Sequence, residues 1–207
     1  MTKKKKVLCS VFFLIFLIGN LNAKEITERH LYHIGDKISY KIHRILPNES
    51  SYITESYLLN IIDDQEIWEI TNSPSADKRI FDRITGNWIT SYKDGNEIAR
   101  AIPYSGGLKF PINKGDKWKQ TWTFTAVGGL FIGKSEAEFK VRKDKIKINN
   151  KKYNTLKIEM INPIWNSEKD KQWKKHIRWI DTDSGKIVKE YLKNIGFKIE
   201  YTATIIE

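Results

Sequence analysis

Past roughly the first two dozen residues, apolar and polar side chains change places at nearly every step, the period-two pattern of strands with one buried and one wetted face. In Lys37-Ile38-Ser39-Tyr40-Lys41-Ile42 the even positions are apolar, and in Trp118-Lys119-Gln120-Thr121-Trp122-Thr123-Phe124 they carry aromatic rings. Residues 197–205 alternate in the same way. Residues 57–62 and 66–71, β-branched and aromatic, predict two strands joined at Asp63-Asp64-Gln65. Residues 145–148 and 153–161 predict another hairpin about Asn149-Asn150, since asparagine tolerates left-handed turn geometry. Helical periodicity is nearly absent here. The expectation is an all-β domain.

The turn signals recur in one order. Gly35-Asp36-Lys37 opens a strand, Asn72-Ser73-Pro74 ends one, and residues 81–89 read as strand, Gly86 turn and returning strand. Gly115-Asp116-Lys117, Ile161-Asn162-Pro163 and residues 179–187, turning at Gly185, repeat the series. The first glycines lie 115 minus 35, or 80, residues apart and the second pair 185 minus 86, or 99, so a second copy would be about 19 residues longer. The loop-like stretches 128–133 and 165–175 are where that surplus is expected. Two duplicated meander units, residues 30–98 and 110–205, account for the recurrence; separate strands bounded by the same few turn residues would also produce it. Joined through residues 99–109, where Pro103 and Gly106-Gly107 interrupt regular structure, two such units of roughly five strands would form one strongly curved antiparallel sheet. An apolar face has to be covered by curling or closing. The reading is a half-barrel or open barrel, a single domain over residues 24–207.

The beginning of the chain adds a compartment. Lys3 to Lys6 precede a charge-free apolar run from Val7 to Ile18, and Leu21-Asn22-Ala23 then offers a small residue at a cleavage position. This order predicts a helical secretion signal over residues 1–23, cut after Ala23. A run of about 12 residues is short against the roughly 20 that span a bilayer, so no stable transmembrane anchor is expected. Cys9 is the single cysteine and lies near the start of the run, whereas a lipoprotein carries its lipid on a cysteine just after it. The processed domain, periplasmic or extracellular, would have no disulfide and would depend on its core. A chain of this size removes roughly 70% of its unfolded surface from water, enough without staples. The net charge of +11 falls to +7 without the four signal lysines. Export takes nucleic acid away as a partner and leaves a lipid or an anionic envelope component, while the same charge also serves plain solubility.

Two stretches carry a resemblance. Phe110-Pro111-Ile112-Asn113-Lys114-Gly115-Asp116-Lys117-Trp118 resembles the F-P-L-x-x-G-x-x-W signature of uncharacterised exported bacterial β-domains, and residues 177–189 look like their late strand-turn-strand. Between them, residues 150–158 stand where those domains read G-x-F-x-x-x-x-I, with Lys152 in place of the glycine. The similarity spans roughly residues 100–195. It implies an exported all-β curved sheet, in some relatives likened to periplasmic lipoprotein carriers, and brings no activity or catalytic residue with it. Physically the first motif is a corner: proline fixes φ, glycine permits the turn, and tryptophan anchors the strand.

Candidate chemistry is sparse. His30, His33, His43 and His176 have poor metal spacing, because residues three apart on an extended segment face opposite ways, and they read as surface histidines. Asp181 and Asp183, like Asp63-Asp64, read as turn caps before an acid-base pair. No phosphate loop, G-x-S-x-G elbow or H-E-x-x-H helix occurs, so neither a cofactor nor a metal is expected and no catalytic residue is nominated. The seven tryptophans remain. Trp118, Trp122 and Phe124 share one strand face, which is core or the wall of a cavity if the sheet is hollow. Trp165 and Trp173 sit among Lys169, Lys171, Lys174 and Lys175, suited to an anionic surface or to packing over the open end of the sheet. Phe131 lies in the glycine-bounded stretch 127–133, either a flap over a cavity or a buried hairpin tip. The leading expectation is a non-enzymatic exported binding or carrier module for an apolar or amphipathic ligand. The alternatives are an envelope interaction protein with a filled core, then an enzyme.

Overall fold

The computed structural model describes residues 25–206 apart from 27, 127–130, 170, 172 and 197, and the side chains of these residues apart from those of Phe131, Trp173 and Lys174. The expected signal segment and its cleavage site lie outside the described residues. Among the described residues thirteen antiparallel strands follow one another: β1 (Lys37–Leu46), β2 (Ser50–Ile62), β3 (Gln65–Thr71), β4 (Lys78–Asp82), β5 (Trp88–Lys93), β6 (Asn96–Ser105), β7 (Lys117–Ala126), β8 (Phe131–Ile148), β9 (Lys151–Trp165), β10 (Glu168–Lys169), β11 (Trp173–Asp181), β12 (Ile187–Asn194) and β13 (Ile199–Ile206). Strand order around the sheet is β9-β11-β12-β13-β1-β2-β3-β4-β5-β6-β7-β8, and β8 pairs again with β9. The protein is therefore all-β, and its sheet closes into a twelve-stranded barrel where the sequence suggested a half-barrel or open barrel. Closure gives the backbone donors and acceptors of both would-be edges a partner. Only β10 stays outside the ring, paired with the end of β9.

The alternation positions the walls. Ile38, Tyr40, Ile42 and Arg44 of β1 and Trp122 and Phe124 of β7 point to the lumen, while Lys37, Lys41, Lys117 and Lys119 point out. Charged side chains at outward positions are the opposite of the apolar belt that a membrane-spanning barrel presents. Both two-residue hairpins form at the expected places, with positive φ at Asp63 and Asp64 (49° and 56°) and at Asn149 and Asn150 (46° and 68°).

Each half of the barrel has six strands, β1–β6 and then β7–β9 with β11–β13, and the same bonds recur in both. The Asp36 carboxylate accepts the His33 amide (2.8 Å), and the Asp116 carboxylate accepts the Asn113 amide (2.7 Å). Gly35 donates to the Leu58 carbonyl and Gly115 to that of Val141. Asp82 accepts the Thr85 amide and Asp181 the Ser184 amide, and Gly86 and Gly185 close these turns with φ of 71° and 70°.

Part of the extra length of the second half is strand where loop was expected; residues 128–130, 170 and 172 lie outside the described residues, and 166–167 form a turn. β8 and β9 have 18 and 15 residues against 13 and 7 in β2 and β3, and Gly133 and Trp165 belong to them. Gly133 stays in the ladder because the Trp165 indole occupies the space a side chain there would need. Residues 99–105, expected as a joint, are also strand; β6 pairs with β7 only from Ala99 to Ile102, stopping before Pro103, which has no amide to donate.

Two straps cover one end. Residues 25–36 cross it, with Ile26 bridged to Ile112 and the His30 amide donating to the Gly185 carbonyl (3.3 Å). Residues 106–116 pack beside it: fully buried Asn87 donates from Nδ2 to the Leu108 carbonyl (2.7 Å) and accepts the Leu108 amide at Oδ1 (2.9 Å). The main apolar core lies at this end, with Ile26, Leu108, Ile112, Phe139, Leu156 and Ile180 buried together. A second cluster gathers Ile148 and Tyr153 from the far end of the β8–β9 hairpin with Ile177, Trp179 and Val188.

Candidate functional site

Above the straps the barrel is hollow. A cavity of about 720 Å³ extends to the opposite end, where Arg44, Tyr52, Ser73, Pro74, Ser75 and Ile199 line it. Twelve strands enclose more space than inward side chains fill, and a cavity of this size is in the range that takes a small molecule. Aromatic rings form much of the apolar part of its wall. Trp68, Phe81, Trp88, Trp122, Phe124 and Tyr40 contribute, with the Trp88 and Phe124 rings 6.0 Å apart.

A charged cluster is set into this wall. His176, Arg178 and Ile180 of β11 face the lumen, and Glu190 of β12 stands directly opposite Arg178 in the ladder. Glu190 Oε1 accepts from His176 Nε2 (2.7 Å) and Arg178 Nε (3.0 Å), and Oε2 from the Tyr201 hydroxyl (3.2 Å). Arg178 Nη1 also donates to the Gly106 carbonyl, tying the cluster to the second strap. Burial alone would raise the Glu190 carboxyl, but the Arg178 charge and the His176 contact hold it well below its ordinary value. Burial, then the Arg178 charge, lowers His176, so its imidazole is neutral. Burial pushes the phenols of Tyr40 and Tyr201 far up. A carboxylate this acidic is a weak base, and its donors already occupy it, so the cluster holds strands together better than it moves protons.

A second buried pair lies by the first strap. Arg29 reaches between strands to donate to the carbonyl of Arg83 (2.8 Å) and, through Nη2, to Glu66 Oε2 (2.9 Å), which also accepts Trp68 Nε1 (3.1 Å). Glu66 is fully buried and its Oε1 has no partner among the described residues. Tyr32 of the same strap packs edge-on against Trp68 at 5.1 Å, and burial pushes its phenol up to about 12.

The residues singled out from the sequence divide among different places. Trp122 and Phe124 line the cavity. Trp118 instead stacks on Phe139 at 5.9 Å in the core by the straps. Trp165 sits edge-on to Phe124 at 6.4 Å, packed on the barrel rather than displayed on a polar loop. The side chains of Phe131 and Trp173 lie outside the described set. Asp181 is a turn cap, as read. His176 is not on the surface, its side chain being only 12% exposed, because it follows the inward parity of Arg178 and Ile180. That parity was the available signal for the cluster. Among the described residues no group of three His, Cys, Asp or Glu side chains could hold a metal ion.

No protein-family profile matches the chain, and a comparison with curated proteins finds no match. Solved structures do share its architecture. The hypothetical lipoprotein YmcC from Escherichia coli K12 superposes with a TM-score of 0.51 at 11% identity, covering 94% of this chain and 96% of its own. A candidate lipoprotein from Parabacteroides distasonis (TM-score 0.49, 12% identity, 86% and 97% covered) and a candidate exported protein with a YmcC-like fold from Bacteroides fragilis (0.47, 13%, 86% and 97%) are also similar. At such identity the likeness to YmcC speaks for the fold alone.

Proposed function

We propose that this protein is an exported, non-enzymatic carrier that shelters an apolar or amphipathic molecule in its barrel. The hollow aromatic lumen carries the reading. A protein serving only as an envelope partner has no use for an unfilled interior, which costs dispersion contacts along its whole wall. Export is supported by the basic and then apolar order of residues 3–18, and the fold is one that a lipoprotein also uses. Because Cys9 precedes most of that run, the proposal is a cleaved, unlipidated protein acting in the periplasm or beyond. The six-strand halves with matching turn bonds support a duplicated meander as its origin.

Native mass spectrometry of protein purified without detergent tests the reading. A lipid-sized adduct, or one appearing on incubation with lipid, is expected; a bare chain mass that takes up no lipid contradicts it.

A further inference from the structure

The charges in the lumen say what kind of polar end the cargo has. Among the described residues Arg29, Arg44, Arg79 and Arg178 line it, against two carboxylates, Glu66 and Glu190. Both carboxylates are engaged, Glu66 by Arg29 and Glu190 by Arg178. Among the described residues neither Arg44 nor Arg79 has a carboxylate within ion-pair reach: Arg44 Nε donates to the Leu46 carbonyl (2.9 Å) and Arg79 Nη2 to the Ser75 hydroxyl (3.1 Å). Both guanidinium groups are only half-buried at the open side of the lumen, so water still reaches them, and an anion entering the cavity gains a charge-assisted hydrogen bond there.

The two halves locate that missing anion. Arg79 and Arg178 are 178 minus 79, or 99, residues apart, the spacing of the Gly86 and Gly185 turns, and each precedes its turn aspartate by three positions. In the ladder Arg178 stands opposite Glu190, and Arg79 stands opposite Ser91. One half supplies its own carboxylate; the other has Ser91 there, whose hydroxyl accepts the Trp88 indole N–H (2.8 Å), and gives its guanidinium no carboxylate.

We propose that the cavity takes an amphipathic anion, with its acyl part among Trp88, Trp122 and Phe124 and its carboxylate or phosphate on Arg79, assisted by Arg44. This rests on the carrier reading above. The planar guanidinium fork suits either head group. At Arg79 the ligand plays the part that Glu190 plays at Arg178.

The test uses purified protein stripped on a hydrophobic resin and titrated with oleate, oleoyl lysophosphatidate and uncharged monooleoylglycerol, followed by tryptophan fluorescence. At least one anion is expected to bind about 10-fold or more tightly than the uncharged ester, as a charge-assisted hydrogen bond implies. The comparison of oleate with lysophosphatidate separates carboxylate from phosphate. Arg79→Gln should abolish the preference and leave monooleoylglycerol binding unchanged. Ser91→Glu, which gives Arg79 the counter-ion of the other half, should abolish it with the arginine in place. Equal affinity for all three, or a preference that survives Arg79→Gln, overturns the head-group assignment and leaves the carrier reading standing. Binding of none overturns both.

Discussion

Glu190 joins three strands and a strap through one carboxylate, taking hydrogen bonds from His176, Arg178 and Tyr201 while Arg178 reaches Gly106. Removing its charge leaves a largely buried guanidinium without its counter-ion. Glu190→Gln should therefore destabilise the fold by about 3–5 kcal/mol in chemical denaturation. Arg79, with no internal counter-ion, is the contrast: Arg79→Gln should change stability by less than about 1 kcal/mol. The sequence hid this cluster for a physical reason. β11 reverses the usual rule, since polar His176 and Arg178 face in while Ile177 and Trp179 face out beneath Tyr153 and Ile148. Alternation marks two faces, but where both are covered it does not say which is the lumen. On β7, whose outer face is wet, the same rule placed Trp122 and Phe124 on the inner wall.

Among the elements, what local chemistry decides was legible. The aspartate and asparagine pairs at positions 63–64 and 149–150 and the glycines at 86 and 185 specify turns through their own backbone preferences, and the turns form there. Closure was not legible, because it depends on β13 meeting β1, residues up to 206 minus 39, or 167, positions apart in the sequence (Ser39 with Ile206). Nor was the fate of Gly133, where composition suggested a loop and the Trp165 indole makes glycine a requirement of the strand. Gly133→Ala should cost about 1–3 kcal/mol through overpacking. Combined with Trp165→Ala the added loss should shrink, since the two sites share one space; additive losses in a double-mutant cycle would remove that explanation.

For the whole molecule, buried titratable groups set a stability window. His176 and His30 are lowered from an ordinary 6.5, so below that pH the unfolded chain takes up protons that the folded chain refuses, and stability falls as pH drops. Glu190, lowered from 4.5, adds to the loss below that value. Tyr40 and Tyr201 are raised from 10.0 and favour the folded state below it; their contribution fades as pH climbs above 10, as does that of Tyr32 until about 12. The melting temperature should thus be flat between about pH 6.5 and 10 and decline on both sides. A maximum below pH 6 would mean that the interior is hydrated and the cluster exposed.

Hollowness is the property on which the account turns, and saturable uptake of an apolar fluorescent probe by the stripped protein measures it most directly. One probe per chain is expected, and none after Ala203→Trp, which fills the lumen from β13 while circular dichroism stays that of a β protein. A folded chain that takes up no probe, or one whose uptake is unchanged with the lumen filled, would contradict it.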